Sequence, residues 1–254
     1  MGLSRIDGNV LFNGCRESNT HGNFNSWDRT PMLHNTSDSY GAPSWSPGVS
    51  TVARNLLVNS YGAGHGIDHD DGSMVWQDVH NVIAYSHACK GNFGSNRNCS
   101  YNMVIAPELK DAYSTDPASS SAPCAEQANN GKGSTFANKY FENNTCVFLA
   151  DKTAEAYSFK SCHAPKAGTS SDAELGGTVW GTANNRFLVL DGVDVAVPCD
   201  DKKPGVPLKT WQGQYKQERG GSVGPMPSVA ALRAMAEGVL AGGAGPQGLE
   251  RAAP

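Results

Sequence analysis

The segments RNLLV (residues 54–58), HNVIA (80–84) and YNMVI (101–105) share one pattern, an Asn opening a run of apolar, β-prone residues. The pattern recurs in FNGC (12–15), NNTCV (143–147) and NNRFLV (184–189). From Asn55 to Asn81 is 26 residues and from Asn81 to Asn102 is 21, steps that match one coil of a β-solenoid. The other steps are longer and are expected to span about two coils each. In such a coil a strand buried on one side alternates apolar and polar residues. Each coil pairs with its neighbours about 4.8 Å above and below. An Asn at the turn can adopt the left-handed conformation and bond its side-chain amide to the next coil's Asn, building a ladder. The expected fold is all-β: a right-handed parallel β-helix over residues 1–200. A linker and a disordered or short helical tail are expected over 201–254.

Composition agrees with many short strands and turns. Only 17% of the 254 residues are charged, 29 are Gly, and Asn is frequent. A net charge of −4 gives no electrostatic footprint for nucleic acid. No apolar run approaches the roughly 20 residues needed to span a bilayer. Seven cysteines (Cys15, Cys89, Cys99, Cys124, Cys146, Cys162 and Cys199) and three glycosylation sequons at Asn35, Asn98 and Asn143 point to an oxidising, extracellular location. The first residues, MGLSRIDGNVLFNG, hold no apolar signal-peptide core, so a secreted chain would lack its signal here. A monomer is expected.

Residues 35–48 and 112–135, rich in Ser, Pro and Gly, read as loops projecting from coil turns. Residues 212–227 (QGQYKQERGGSVGPMP) read as a linker, after which Ser228 offers an N-cap for a short Ala-rich helix. The tail is expected to be poorly ordered or to cap the solenoid's apolar end.

The densest chemical constellation lies in YGAGHGIDHDDGSMVWQDVHNVIAYSHACKGNFGSNR (61–97). On a strand, Asp68 and Asp70 project from the same face, while Asp71 points away or enters the turn at Gly72-Ser73. Asp68 lies 13 residues after Asn55 and Lys90 nine after Asn81. If YGAGHG holds the surplus as a bulged turn, Asp68 and Lys90 stack on adjacent coils, and the same offset of nine from Asn102 reaches Asp111. A row Asp68, Lys90, Asp111 would serve as a charge-compensated ladder or a sugar-binding strip.

Two carboxylates flanking a glycosidic bond can act as acid and base or acid and nucleophile, and Asp68 with Asp70 or Asp71 is the candidate pair. Alternatively an acidic cluster, Asp68 and Asp70, holds Ca²⁺ while Lys90 removes the proton beside a uronate carboxyl. The competing reading is purely structural, since D-x-D-D-G is also good turn sequence. His65 and His69 are four apart, a metal spacing on a helix but not on a strand, and are candidates for substrate contact. His34, His80 and His87 read as ordinary surface or turn residues. Trp27, Trp45 and Trp76 are candidate sugar-stacking platforms, although a Trp in such a fold more often packs.

NGCRESNTHGNFNSWDRTPML (13–33), VARNLLVNSYGAGHGIDHDDGS (52–73) and HNVIAYSHACKGNFGSNRNCSYNMVI (80–105) together resemble the right-handed parallel β-helix proteins of the pectin-lyase-like superfamily. More narrowly they resemble a poorly characterised group with a W-D-R element, an I-D-x-D-D-G-S coil and a Lys-x-x-F-G-G-H coil. Trp27, Asp28 and Arg29 match the first element, Asp68, Asp70, Asp71, Gly72 and Ser73 the second, and Lys90, Phe93 and Gly94 the third. Ser95-Asn96 stands where the group has Gly-His. The resemblance covers about residues 5–199 and implies polysaccharide lyases and glycoside hydrolases, with many members of no known activity. The expected function is therefore polysaccharide degradation. Asp70 and Asp71 are expected in acid/base roles, Asp68 as partner or Ca²⁺ ligand, and Lys90 and Arg29 in binding a carboxylate or acting as base. Arg29, Trp27, His65, His69, Asp111 and Asn96 are expected to contact substrate. The alternative is a non-catalytic carbohydrate-binding or cell-surface module.

Overall fold

The computed structural model describes residues 4–14, 21–27, 33–37, 43–45, 49–60, 65–70, 73, 75–91, 97–106, 124–127, 136–149, 153–159, 174–175, 178–198 and 205–243. Strands dominate and fall into three principal sheets. The first runs Arg5–Asp7, Ser50–Ala53, Trp76–Val79, Arg97–Ser100, Phe136–Glu142, Thr178–Ala183, all paired in parallel. The second runs Val10–Gly14, Leu56–Ser60, Val82–Ala84, Met103–Ile105, Thr145–Val147, Arg186–Val189, Ser222–Pro225, also in parallel. The third runs Phe24–Ser26, His65–His69, His87–Gly91, Ala125–Gln127, Tyr157–Phe159. The chain visits the first, second and third sheets in that order five times, and each passage adds one strand to each sheet.

Registered columns make the core. Leu57, Ile83, Val104, Cys146 and Phe187 occupy one position of the second sheet and are fully enclosed. They pack with Val52, Cys99 and Phe141 of the first sheet and Ile67 and Ala88 of the third. Each buried Val, Leu, Ile or Phe among them contributes about 1.5–3 kcal/mol by leaving water. Disulfides Cys89–Cys99 and Cys124–Cys146 cross-link this interior, whereas Cys15, Cys162 and Cys199 lie outside the described residues.

Between the first and second sheets runs an asparagine ladder: Asn9, Asn55, Asn81, Asn102, Asn144 and Asn185. Each Oδ1 from Asn55 onward accepts both the backbone N–H and the side-chain amide of the preceding Asn, at 2.8–3.1 Å. Each Nδ2 also donates to the carbonyl of a residue in the first sheet: Ile6, Val52, Asp78, Cys99 and Phe141 for Asn55 to Asn185. Two details differ from expectation. The first rung is Asn9, directly before its strand, and not Asn13. The left-handed residue is the one before each rung (Gly8, Arg54, His80, Tyr101, Asn143, Asn184), so the rungs themselves stay free to align their amides. The long steps also differ: Asn102 and Asn144, 42 apart, bond directly, as do Asn144 and Asn185, 41 apart. Each therefore spans one passage with an insertion, not two coils.

The stretch 212–227, expected as linker, carries the ladder's end. Register with the second sheet sets Gly221 opposite Asn185, at the next rung, where a Cβ would lie 2.4 Å from Glu218 Oε1. The carboxylate of Glu218 fills that slot. Its Oε1 accepts from Asn185 N at 2.7 Å, and its Oε2 accepts from Asn185 Nδ2 at 3.0 Å and from the Tyr157 hydroxyl. Helix Leu208–Gln214 sets Leu208 and Trp211 against the interior core. Helix Val229–Leu240, capped by Ser228 Oγ accepting from Ala231 N, lays Leu232, Met235, Ala236 and Val239 over Val82, Met103, Val147 and Leu188 on the second sheet's outer face. Gly/polar composition reads as a linker, but here it supplies the tight backbone and the acceptor that close the ladder.

The ladder makes a graded prediction. Asn102→Ala strands the Asn81 donors and the Asp78 carbonyl inside the protein and should cost at least about 3 kcal/mol in urea unfolding. Asn9→Ala, at the exposed end, should cost less than about 1 kcal/mol. Equal effects would show that the rungs do not act through buried hydrogen bonds.

Candidate functional site

The third sheet positions the acidic cluster. Strand His65–His69 pairs with His87–Gly91 so that Asp68 stands opposite Lys90 and His69 opposite Gly91. Asn25 lies opposite Asp68 on the other side. Lys90 Nζ is 3.0 Å from Asp68 Oδ1, 3.2 Å from Asp68 Oδ2 and 3.4 Å from Asp70 Oδ1. The place expected for Asp111 is taken in register by Glu126, opposite Lys90. The passage after Ala106 is longer than its predecessor, so an offset counted from Asn102 stops short of the third sheet. Asp111 itself, with Asp71, Arg29 and Asn96, lies outside the described residues.

The two described aspartates differ in environment. Asp68 is wholly enclosed, and burial pushes its carboxyl above the usual range although the Lys90 ammonium opposes the shift. Asp70 keeps 19% of its side chain exposed and Lys90 10%. Of the trio, Asp70 is the carboxylate that meets solvent.

His69 turns away from this face. Its Nε2 lies 2.8 and 3.0 Å from the Asp78 carboxylate and its Nδ1 2.6 Å from Ser26 Oγ, which is 2.5 Å from Ser73 Oγ. A hydroxyl–imidazole–carboxylate chain invites comparison with a catalytic triad. The imidazole is only 1% exposed, however, and its ring centre lies 5.0 Å from that of Trp76, tilted by 31°. The chain ties the third sheet to the first from inside, and the enclosed His69 ring faces Asp78 and Ser26. His65 is likewise enclosed, with its ring 5.2 Å from that of His87. Burial drives both imidazoles down, His87 to about 4, and the half-buried His87 opens strand His87–Gly91, where the sequence predicts a surface or turn residue. Trp76 packs on Phe24 at 5.4 Å, whereas Trp27 is 58% exposed beside the cluster's neighbour strand.

Arg97 completes the cluster from below. It is 5% exposed, donates from Nε to Ser73 O at 2.7 Å and from Nη1 to His69 O at 2.9 Å. Burial lowers it to about 10 against the opposing charges of Asp78, Asp68 and Asp70. Ser26, Asp78 and Arg97 escaped the sequence reading. Asp78 had a visible signal: Val52, Asp78, Cys99, Phe141 and Thr182 all stand three residues before a rung and share one interior column. An acid in that column requires a buried partner.

His21, Asp68 and Asp70 offer an imidazole nitrogen and two carboxylate oxygens within 4.8 Å of one another. Among the described residues this set offers two carboxylate groups where Ca²⁺ takes six to eight oxygens, and the Lys90 ammonium lies between them. Asp78, Cys89 and Cys99 also converge, but those cysteines form a disulfide and supply no thiolate. Among the described residues no helix is long and apolar enough to cross a membrane. No family model, curated protein or solved structure matches the chain.

His87 sets a pH signature. A neutral His87 in the fold, against an ordinary value of 6.5 when unfolded, means the unfolded chain binds more protons between pH 6.5 and about 4. Its contribution to stability is present above that window and is lost as pH falls through it. Urea midpoints of wild type and His87→Gln should therefore converge from pH 7 to pH 4. A pH-independent difference would refute the assignment.

Proposed function

We propose that the chain is a right-handed parallel β-helix of the pectin-lyase-like kind that acts on polysaccharide through the outer face of its third sheet. Support for the fold reading comes from the repeated visits to three parallel sheets and from the ladder. Parallel crossovers within a sheet are right-handed in nearly all proteins. Two interior disulfides suit a secreted protein.

The observation that carries the functional reading is the convergence of Lys90 Nζ on Asp68 and Asp70 within 3.4 Å on one sheet face. Asp68, enclosed, is the counter-ion that fixes Lys90. Asp70, at the solvent edge, is the group for proton transfer to or from a glycosidic oxygen, with Asp71 as its partner carboxylate. Lys90, donating to both aspartates, is a fixed cation that pairs a sugar carboxylate or hydroxyl. A glycoside hydrolase on an acidic polysaccharide follows, with a lyase as the variant in which Lys90 takes the proton.

One observation favours the second reading, a non-catalytic carbohydrate-binding module: the Lys90 charge is already matched by two carboxylates inside the protein. A panel of plant and algal polysaccharides, followed by reducing ends and by ultraviolet absorbance of unsaturated products, separates the readings. Asp70→Asn should lower turnover by about 10²-fold or more while leaving the circular dichroism spectrum unchanged. Binding without turnover in the wild type supports the module instead, and full activity in Asp70→Asn sinks the catalytic assignment.

A further inference from the structure

Resting on the reading of Asp70 as the acid/base group, we propose that Arg97 is its positioning residue, a buried clamp on the backbone that presents the Asp70 carboxylate. The guanidinium donates to two carbonyls, His69 O at 2.9 Å and Ser73 O at 2.7 Å, which bracket the turn on either side. Within the bracket, Ser73 N donates to Asp70 O at 3.0 Å, and Asp70 N donates to Ser26 O at 2.8 Å. The backbone around Asp70 is thus held by the neighbouring strand on one side and by Arg97 on the other. Two carbonyls at separate ends of a turn need two donors at a fixed angle, which a guanidinium has and an ammonium lacks. The same guanidinium lies among three carboxylates, Asp68, Asp70 and Asp78, so it also balances the negative charge gathered by the acidic face and the His69 support. The contact it governs is the longest of the cluster, Lys90 Nζ to Asp70 Oδ1 at 3.4 Å, while Asp68 is seated directly by strand register. A small rotation of the turn would break the Asp70 contact and leave the Asp68 contact intact.

The test reads that contact directly by NMR of the Lys90 ammonium. In the native chain Asp70→Asn should move the Lys90 resonance. In an Arg97→Gln background the same change should leave it where it is, with circular dichroism and the Asn102 side-chain amide signals unchanged. Arg97→Lys, which keeps the charge but reaches one carbonyl, should give an intermediate response and decides the matter if Arg97→Gln does not fold. A full native response to Asp70→Asn in either folded variant overturns the proposal. Where a polysaccharide is turned over, Arg97→Gln should lower kcat about 10²-fold with KM little changed, as expected when a reacting group is misplaced by about 1 Å. A wild type without turnover but with the lost NMR coupling would remove the enzymatic reading and leave the clamp standing.

Discussion

The structure depends on one repeated interaction, the bond from each ladder asparagine to the Oδ1 of the next. A buried backbone N–H without a partner costs about 1–3 kcal/mol, and every passage from the first sheet to the second creates one at the bend. The asparagine side chain supplies the missing acceptor to the passage before it and a donor to the first-sheet carbonyl. The pattern has a direction, since acceptors face back toward lower residue numbers and each rung's own backbone N–H awaits the following rung. Such a row cannot simply stop inside the protein. Glu218 ends it with a side chain whose two oxygens accept three hydrogen bonds from Asn185 and Tyr157. Burial raises the Glu218 carboxyl above its ordinary value while these donors oppose the shift.

The ladder also explains why the acidic face is where it is. Rungs fix the start of each second-sheet strand, and pairing with the neighbouring strand fixes the third-sheet register. Asp68 and Lys90 meet because both passages, Asn55 to Asp68 and Asn81 to Lys90, arrive at the same row after different lengths of chain. A slip of one residue would turn Asp68 into the core and His69 outward. The Ser26–His69–Asp78 chain penalises that slip, since only the observed register gives the buried imidazole a partner on each nitrogen.

Much of this was legible in the sequence, and the failures have physical causes. Five of the six rungs, the strands that follow them and the Asp68–Lys90 pairing could be read from Asn followed by apolar runs. Asn9 and Asn13 both precede β-prone residues, and it is the hydrogen bonds to Asn55 Oδ1 that make Asn9 the rung. Asp111 failed because insertions change the length of a passage without changing its place in the stack, so counting from a rung works only between passages of similar length. Glu218 and Arg97 were invisible for a different reason. Each works by reaching across the chain into a slot defined elsewhere, at Gly221 in one case and at the 69–73 turn in the other.

The division of labour within the acidic cluster follows from solvent, not from sequence. Asp68 and Asp70 are equivalent by alternation, yet one is enclosed and the other sits at the surface. In a low-dielectric setting a carboxylate persists only beside a matched cation, and Lys90 provides it. That pairing confines Asp68 to holding Lys90 and leaves Asp70 to face whatever binds. Strand register seats Asp68 directly, whereas Asp70 lies past the end of strand His65–His69, tied to the neighbouring strand by its N on Ser26 O and to the turn closed by Ser73 N on Asp70 O. A site assembled in this way needs its precision from beneath, and the buried side chain whose donors reach both ends of that turn is Arg97.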